Sequence, residues 1–184
     1  MFILVSKKNK QFGFTLIELI VAIAIISILS SIVLVNVSRN SDRDARLEKD
    51  RFVTFLRSIQ NKALVGEKAP SHAGQKVCGF GAHYDPNGVK LNMAKVYYIT
   101  ASPDVECSGV NKNNSGKYLS GEDFYLGHDM KFDPSFHDVF FMIPEGSIYM
   151  DDNINPISSD KEINIKATDN TNVSATIHAG GLID

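Results

Sequence analysis

One carboxylate interrupts an otherwise apolar run. From Phe14 to Val37 the single charged side chain is Glu18, and this run constrains the chain more than any other feature. As an α-helix, 24 residues rise about 36 Å, enough to cross a hydrocarbon core of about 30 Å with some tilt. The run holds neither Pro nor Gly, and its other polar members are Thr15, Ser27, Ser30, Ser31 and Asn36. Hydroxyls of this kind return their hydrogen bond to the helix's own carbonyls and cost little in an apolar medium. A carboxylate costs about 2.5–3.5 kcal/mol at the centre of such a helix, so Glu18 is expected to be paired or to serve a function. Lys7, Lys8 and Lys10 precede the run. Positive charge stays on the cytoplasmic side, which places residues 38–184 outside the cytoplasm.

A cleaved secretory signal fits the basic start, but the apolar run exceeds the usual hydrophobic region and no small-x-small site closes it cleanly. A plain single-pass anchor explains length and lysines. It leaves Glu18, and Gly13 just before the run, without a purpose. The arrangement KKNKQFG-FTLIELIVAIAIISIL resembles the leader and helix start of type IV prepilins and type II secretion pseudopilins. By that resemblance Gly13 precedes the cut made by prepilin peptidase, and Phe14 becomes the N-methylated mature terminus. Thr15, Leu16 and Glu18 match the family's FTLIE opening. Chemistry leads to the same place: a cut after Gly13 exposes an α-amine, cationic at neutral pH. Side-by-side packing with a one-step stagger would bring that amine to a neighbour's Glu18 and compensate both charges. Glu18 then sets assembly register. The partners this implies are the peptidase, other pilin or pseudopilin subunits in a helical filament, an inner-membrane assembly platform and membrane lipid. The expected location is the inner membrane, N-terminus cytoplasmic, and then the filament.

The expected segments are a leader over 1–13, a membrane or filament-core helix over 14–37, its amphipathic continuation over 38–65, and an extracytoplasmic β-rich domain over 66–184. The last two together suffice for one compact domain. Without the leader, sixteen basic residues face twenty-one acidic ones. That balance argues against a phosphate-binding surface, so nucleic acid is not an expected partner. Cys78 and Cys107 both fall outside the cytoplasm, where a pair can oxidise, although spacing alone leaves open whether they meet.

Beyond the charged stretch Ser38–Arg51, the residues Phe52, Phe55, Leu56, Ile59, Ala63 and Leu64 recur three and four apart, one stripe of a helix. The helix is expected to run from Phe14 to Val65, stopping before Gly66 and Pro70. Strands are expected over Lys76–Tyr84, Leu91–Thr100, Asp123–Leu126, Val139–Ile143, Ser147–Met150, Glu162–Ala167 and Val173–His178, with an exposed excursion over Ser102–Gly121. The fold class is therefore α+β: a long N-terminal helix packed on an antiparallel sheet or sandwich, as in pilins. RFVTFLRSIQNKALVGEKAPSHAGQKVCGFG and VFFMIPEGSIYM, with the closing EINIKATDNTNVSATIHAGGLID, resemble the GspH/FimT minor pseudopilins in hydrophobic pattern and in Gly146, Gly180 and Gly181. DNA-binding members carry basic residues near the C-terminal glycine, whereas this tail, AGGLID, ends acidic.

Catalytic signatures are missing. The histidines at 72, 83, 128, 137 and 178 form no HExxH, and no GxSxG occurs. His83 beside Asp85, and His128 beside Asp129, could be pictured as sites, but close neighbours of this kind read as surface residues. Asp151, Asp152, Asp160 and Glu162 surround a Pro- and Asn-containing loop and offer oxygens of the kind calcium takes. Their spacing matches no EF-hand, and a solvated loop is the simpler reading; no cofactor is expected. Tyr97, Tyr98, Phe124 and Tyr125 suit the core better than a partner. The expected function is a structural, non-enzymatic filament subunit of the minor kind. Its rivals are a filament-borne binding module, for DNA or a surface, and a membrane-anchored extracytoplasmic enzyme.

Overall fold

The computed structural model describes residues 15–69, 74–84, 91–112, 117–127, 129–133, 138–150, 155–167 and 170–184, and for 33–40 the backbone alone. Helix α1 spans Leu16–Val65. The chain divides into two units, Met1–Asn40 and Ser41–Asp184.

In the first unit every described side chain from Thr15 to Ile32 is exposed. Leu16, at 77% exposure, and Ile32, at 60%, bracket a helix apolar on all sides. A single chain leaves it uncovered, the pattern of a helix destined for lipid or for other helices.

In the second unit α1 changes character. It buries Ala45, Glu48, Phe52, Val53, Leu56, Ile59 and Ala63, a face repeating every three or four residues as the sequence stripe requires. Leu64 departs from that stripe and is exposed at 53%. It follows Ala63 by one residue, a turn of about 100° away from the buried face, and lies instead beside Gly146 at the margin of the sheet. The helix ends in a Schellman motif. Gly66 takes φ +63°, its N–H reaches Ala63 O at 3.1 Å, and Glu67 N–H reaches Lys62 O at 2.9 Å. The left-handed conformation carries no steric cost without a Cβ, so glycine stops the helix here.

Among the described residues eight strands follow: β1 (Lys76–His83), β2 (Met93–Ala101), β3 (Phe124–Tyr125), β4 (Lys131–Phe132), β5 (Asp138–Met142), β6 (Ile148–Met150), β7 (Lys161–Lys166) and β8 (Asn172–Ile177). They form a five-stranded sheet, ordered β3-β2-β1-β5-β6, and a three-stranded sheet, β4-β7-β8. Every pairing is antiparallel. The expected α+β architecture, with the helix packed on antiparallel sheets, is the observed one. β4 was not legible in the sequence: it has two residues and no alternation, and its pairing with Ile165 and Lys166 of β7 creates it.

Phe52 marks where the layers meet. Its ring, fully buried, lies 5.6 Å from Phe124 of β3 and 4.9 Å from Phe132 of β4, centroid to centroid. Helix and both sheets thus share one aromatic cluster, with Phe80, Ala82, Ile163, Ile165 and Ile177 in the same core.

The five-stranded sheet carries a second core on its other face, built from Cys78, Tyr97, Ile99, Ala101, Phe140, Met142 and Tyr149. Gly79 and Gly81 make it possible. A Cβ on Gly81 would fall 2.5 Å from the Tyr97 ring, and one on Gly79 2.5 Å from Phe140. These strand glycines let two aromatic rings lie flat on the backbone. The segment expected as an exposed excursion roofs this core. Cys107 and Val110 pack on it, Tyr118 bridges Tyr97 in the sheet, and the Tyr97 hydroxyl donates to Lys112 O at 2.9 Å. Lys112 is buried, its ammonium donating to Ser108 O and standing 4.6 Å above the Tyr149 ring. Burial lowers its pKa below the ordinary lysine value. Polar composition concealed this role because the lysine covers apolar surface with its stem.

Candidate functional site: the head of the N-terminal helix

The sequence marks five residues at the helix start: Gly13, Phe14, Thr15, Leu16 and Glu18. Gly13 and Phe14 lie outside the described residues. The other three open α1, and the structure joins two of them. Thr15 Oγ1 accepts from the Glu18 N–H at 3.3 Å. Glu18 Oε2 in turn accepts from the Thr15 N–H at 3.2 Å and from the Thr15 hydroxyl at 3.1 Å. This reciprocal pattern is a capping box, in which residues three apart satisfy two of the amides that every helix start leaves unbonded. Thr15-Leu-Ile-Glu18 is also the sequence signature of that box, so Glu18 has a local structural role that the expectation of intermolecular pairing passed over. Leu16 takes no part, and its side chain stands in solvent.

The polar residues further along behave as the apolar setting demands. Ser27 Oγ donates to Ile23 O at 2.8 Å and Ser31 Oγ to Ile28 O at 2.7 Å. Among the described residues no helix is long and apolar enough to cross a membrane. The span expected over 14–37 runs past the described side chains at both ends.

Other candidates lie in the second unit. Cys78 in β1 and Cys107 in the roof are joined as a disulfide. Asp151 and Asp152 lie outside the described residues. Asp160 has one oxygen 2.8 Å from His178 Nδ1, and its other oxygen accepts the Ala179 N–H at 3.0 Å. Among the described residues no group of three or more His, Cys, Asp or Glu side chains could hold a metal ion. Asp85 and His128 are not described. His83 pairs across the sheet with Asp138 at 2.8 Å. Partners 55 residues apart leave no local motif to read. Of the four aromatics, Tyr97, Tyr98 and Phe124 are buried and Tyr125 is 44% exposed.

A capped helix, bare and apolar through its described first half, leads into an α+β unit, the helix-on-antiparallel-sheet architecture of pilin-like folds. Residues 8–34 match the model of the prokaryotic N-terminal methylation motif. The motif supports a structural subunit of the type IV pilin and pseudopilin class, and implies processing by prepilin peptidase and assembly with other pilins. No curated protein and no solved structure matches the chain significantly.

Proposed function

We propose that the chain is a minor subunit of a type IV pilus or type II secretion pseudopilus. Prepilin peptidase removes residues 1–13, Phe14 becomes the methylated terminus, and residues 14–37 hold the subunit in the inner membrane until it enters the filament. Residues 38–184 then lie outside the cytoplasm. The match of residues 8–34 to the methylation motif carries this reading. The geometry of Glu18 supports it: Oε2 is engaged by Thr15, and Oε1 has no partner among the described residues. A neighbour's terminal amine would take that second oxygen and compensate the charge without dismantling the cap. Support for a minor subunit comes from the resemblance to the GspH/FimT group with its turn glycines, and from a run that lacks the helix-kinking proline often carried by the major pilins it resembles. Gly146 and Gly181 both take positive φ, at +69° and +92°.

The test is the N-terminal mass of the protein from membranes containing active prepilin peptidase. A chain beginning at N-methylated Phe14 is the expected result. A chain still beginning at Met1 would overturn the proposal.

A further inference from the structure

Residues after β8 turn back along it. Gly181 N–H donates to His178 O at 2.9 Å, closing a turn, and His178 N–H donates to Leu182 O at 2.8 Å. Thr176 N–H reaches Asp184 O at 2.7 Å, and Asp184 N–H returns to Thr176 O at 3.0 Å. Ile183 bridges Ile177 and is 1% exposed. From the other side α1 holds the same segment: Arg57 donates from Nε to Ile183 O at 3.0 Å, and Gln60 Nε2 to Gly181 O at 2.7 Å.

One imidazole fastens this segment between two carboxylates. His178 Nδ1 lies 2.8 Å from Asp160 Oδ2, and Nε2 lies 3.1 Å from Asp184 Oδ1. Carboxylate oxygens only accept, and a neutral imidazole carries one N–H, so both contacts are hydrogen bonds only in the imidazolium. Asp160 is also fixed by the Ala179 N–H, which favours keeping the proton on Nδ1. The contact then lost is Nε2 to Asp184, where a lone pair would face a carboxylate.

We propose that residues 178–184 form a pH-sensitive strap, fastened by His178 between Asp160 and Asp184 and loosened at its Asp184 end when the ring loses a proton, which uncovers the edge of β8 at Thr176.

The surrounding charges agree. Asp160, just before β7, and Asp184 face the ring; Lys161 lies opposite Ile177 on β7, and Arg57 reaches the strap from α1. Hydrogen bonds donated to Asp160, and then to Asp184, raise the His178 pKa above 6.5. The Ala179 amide first, and His178 second, lower Asp160 below 3.8. A raised histidine gives its full contribution below 6.5 and loses it as pH climbs through the folded value. A lowered aspartate contributes above 3.8 and loses that only as pH falls through its folded value. The strap is therefore tightest in mild acid and loosens on the alkaline side.

Amide hydrogen exchange of the full chain in detergent micelles tests this, after correction for intrinsic rates. Protection at Thr176 and Asp184 is expected to fall severalfold from mildly acidic to mildly alkaline pH, while amides of the β7–β8 ladder hold steady. Asp184→Asn and His178→Gln should each flatten the change. Protection at Thr176 that ignores pH, or a fall that persists in either variant, would overturn the proposal.

Discussion

Phe52 offers the sharpest test of how the second unit is held together. Its side chain is fully buried, with centroid distances of 6.2 Å to Phe55, 5.6 Å to Phe124 and 4.9 Å to Phe132. Phe52→Ala removes the ring from a junction of one helix and two sheets. The neighbours come from three elements, so none can close the space alone. Phenylalanine truncations in cores cost about 3–5 kcal/mol, and this site belongs at the upper end. Three ring contacts vanish together, each of a kind worth about 0.5–1.5 kcal/mol beyond simple burial. A loss of about 4 kcal/mol is expected from urea unfolding of the full chain in detergent, followed by near-ultraviolet circular dichroism of its tyrosines. Leu47→Ala, at a side chain 52% exposed on the same helix, should stay within about 0.5 kcal/mol of the parent. A Phe52→Ala loss below about 1 kcal/mol, the size of an ordinary substitution, would refute the junction. Helix and sheets would then be held elsewhere.

Four further outcomes follow from the geometry. Replacing Cys78 and Cys107 together by serine frees a loop with sequence separation 29, which by the chain-entropy relation costs about 3.6 kcal/mol; denaturant midpoints of the two proteins measure it. Gly81→Val should cost at least about 1–3 kcal/mol, because its side chain must displace the Tyr97 ring or the Val139 carbonyl, and a thermal melt reports it. Thr15 and Glu18 separate by function: Thr15→Ala removes a cap worth about 1 kcal/mol, visible as fraying of the first turn. Glu18→Gln keeps an acceptor for the cap but abolishes the charge, and should lower recovery of the subunit in sheared filaments while leaving helix content unchanged.

The parts of the fold that repeat over short distances could be read directly. The helix stripe, its stop at Gly66 and seven of the strands came from apolar spacing and turn residues. What stayed hidden depends on partners distant in sequence. β2 buries Val96 and Tyr98 on one face and Tyr97 and Ile99 on the other, so its unbroken apolar run signals burial without saying what covers each side. The cover is the polar segment around Lys112, whose role follows from the disulfide and from room left by Gly79 and Gly81. β4 exists through its pairing with Ile165 and Lys166 of β7, more than thirty residues on. At the helix head the reverse happened. Thr15-x-x-Glu18 is a local signature of a capping box, but in an apolar run the charge of Glu18 is the more conspicuous feature and masks its hydrogen-bonding role.

The hydrogen bonds from Arg57 to Ile183 span 126 positions, and they bear on when the protein can fold. Local structure such as α1 forms as soon as its residues are available, whereas contacts this distant wait for loop closure. Ile183 is buried in the same core as Phe52. The second unit therefore cannot finish folding until the segment around Ile183 is available to dock on α1. Until then the apolar sheet faces remain open to solvent and to one another. Closure of this unit thus waits on one contact between α1 and a segment 126 positions away.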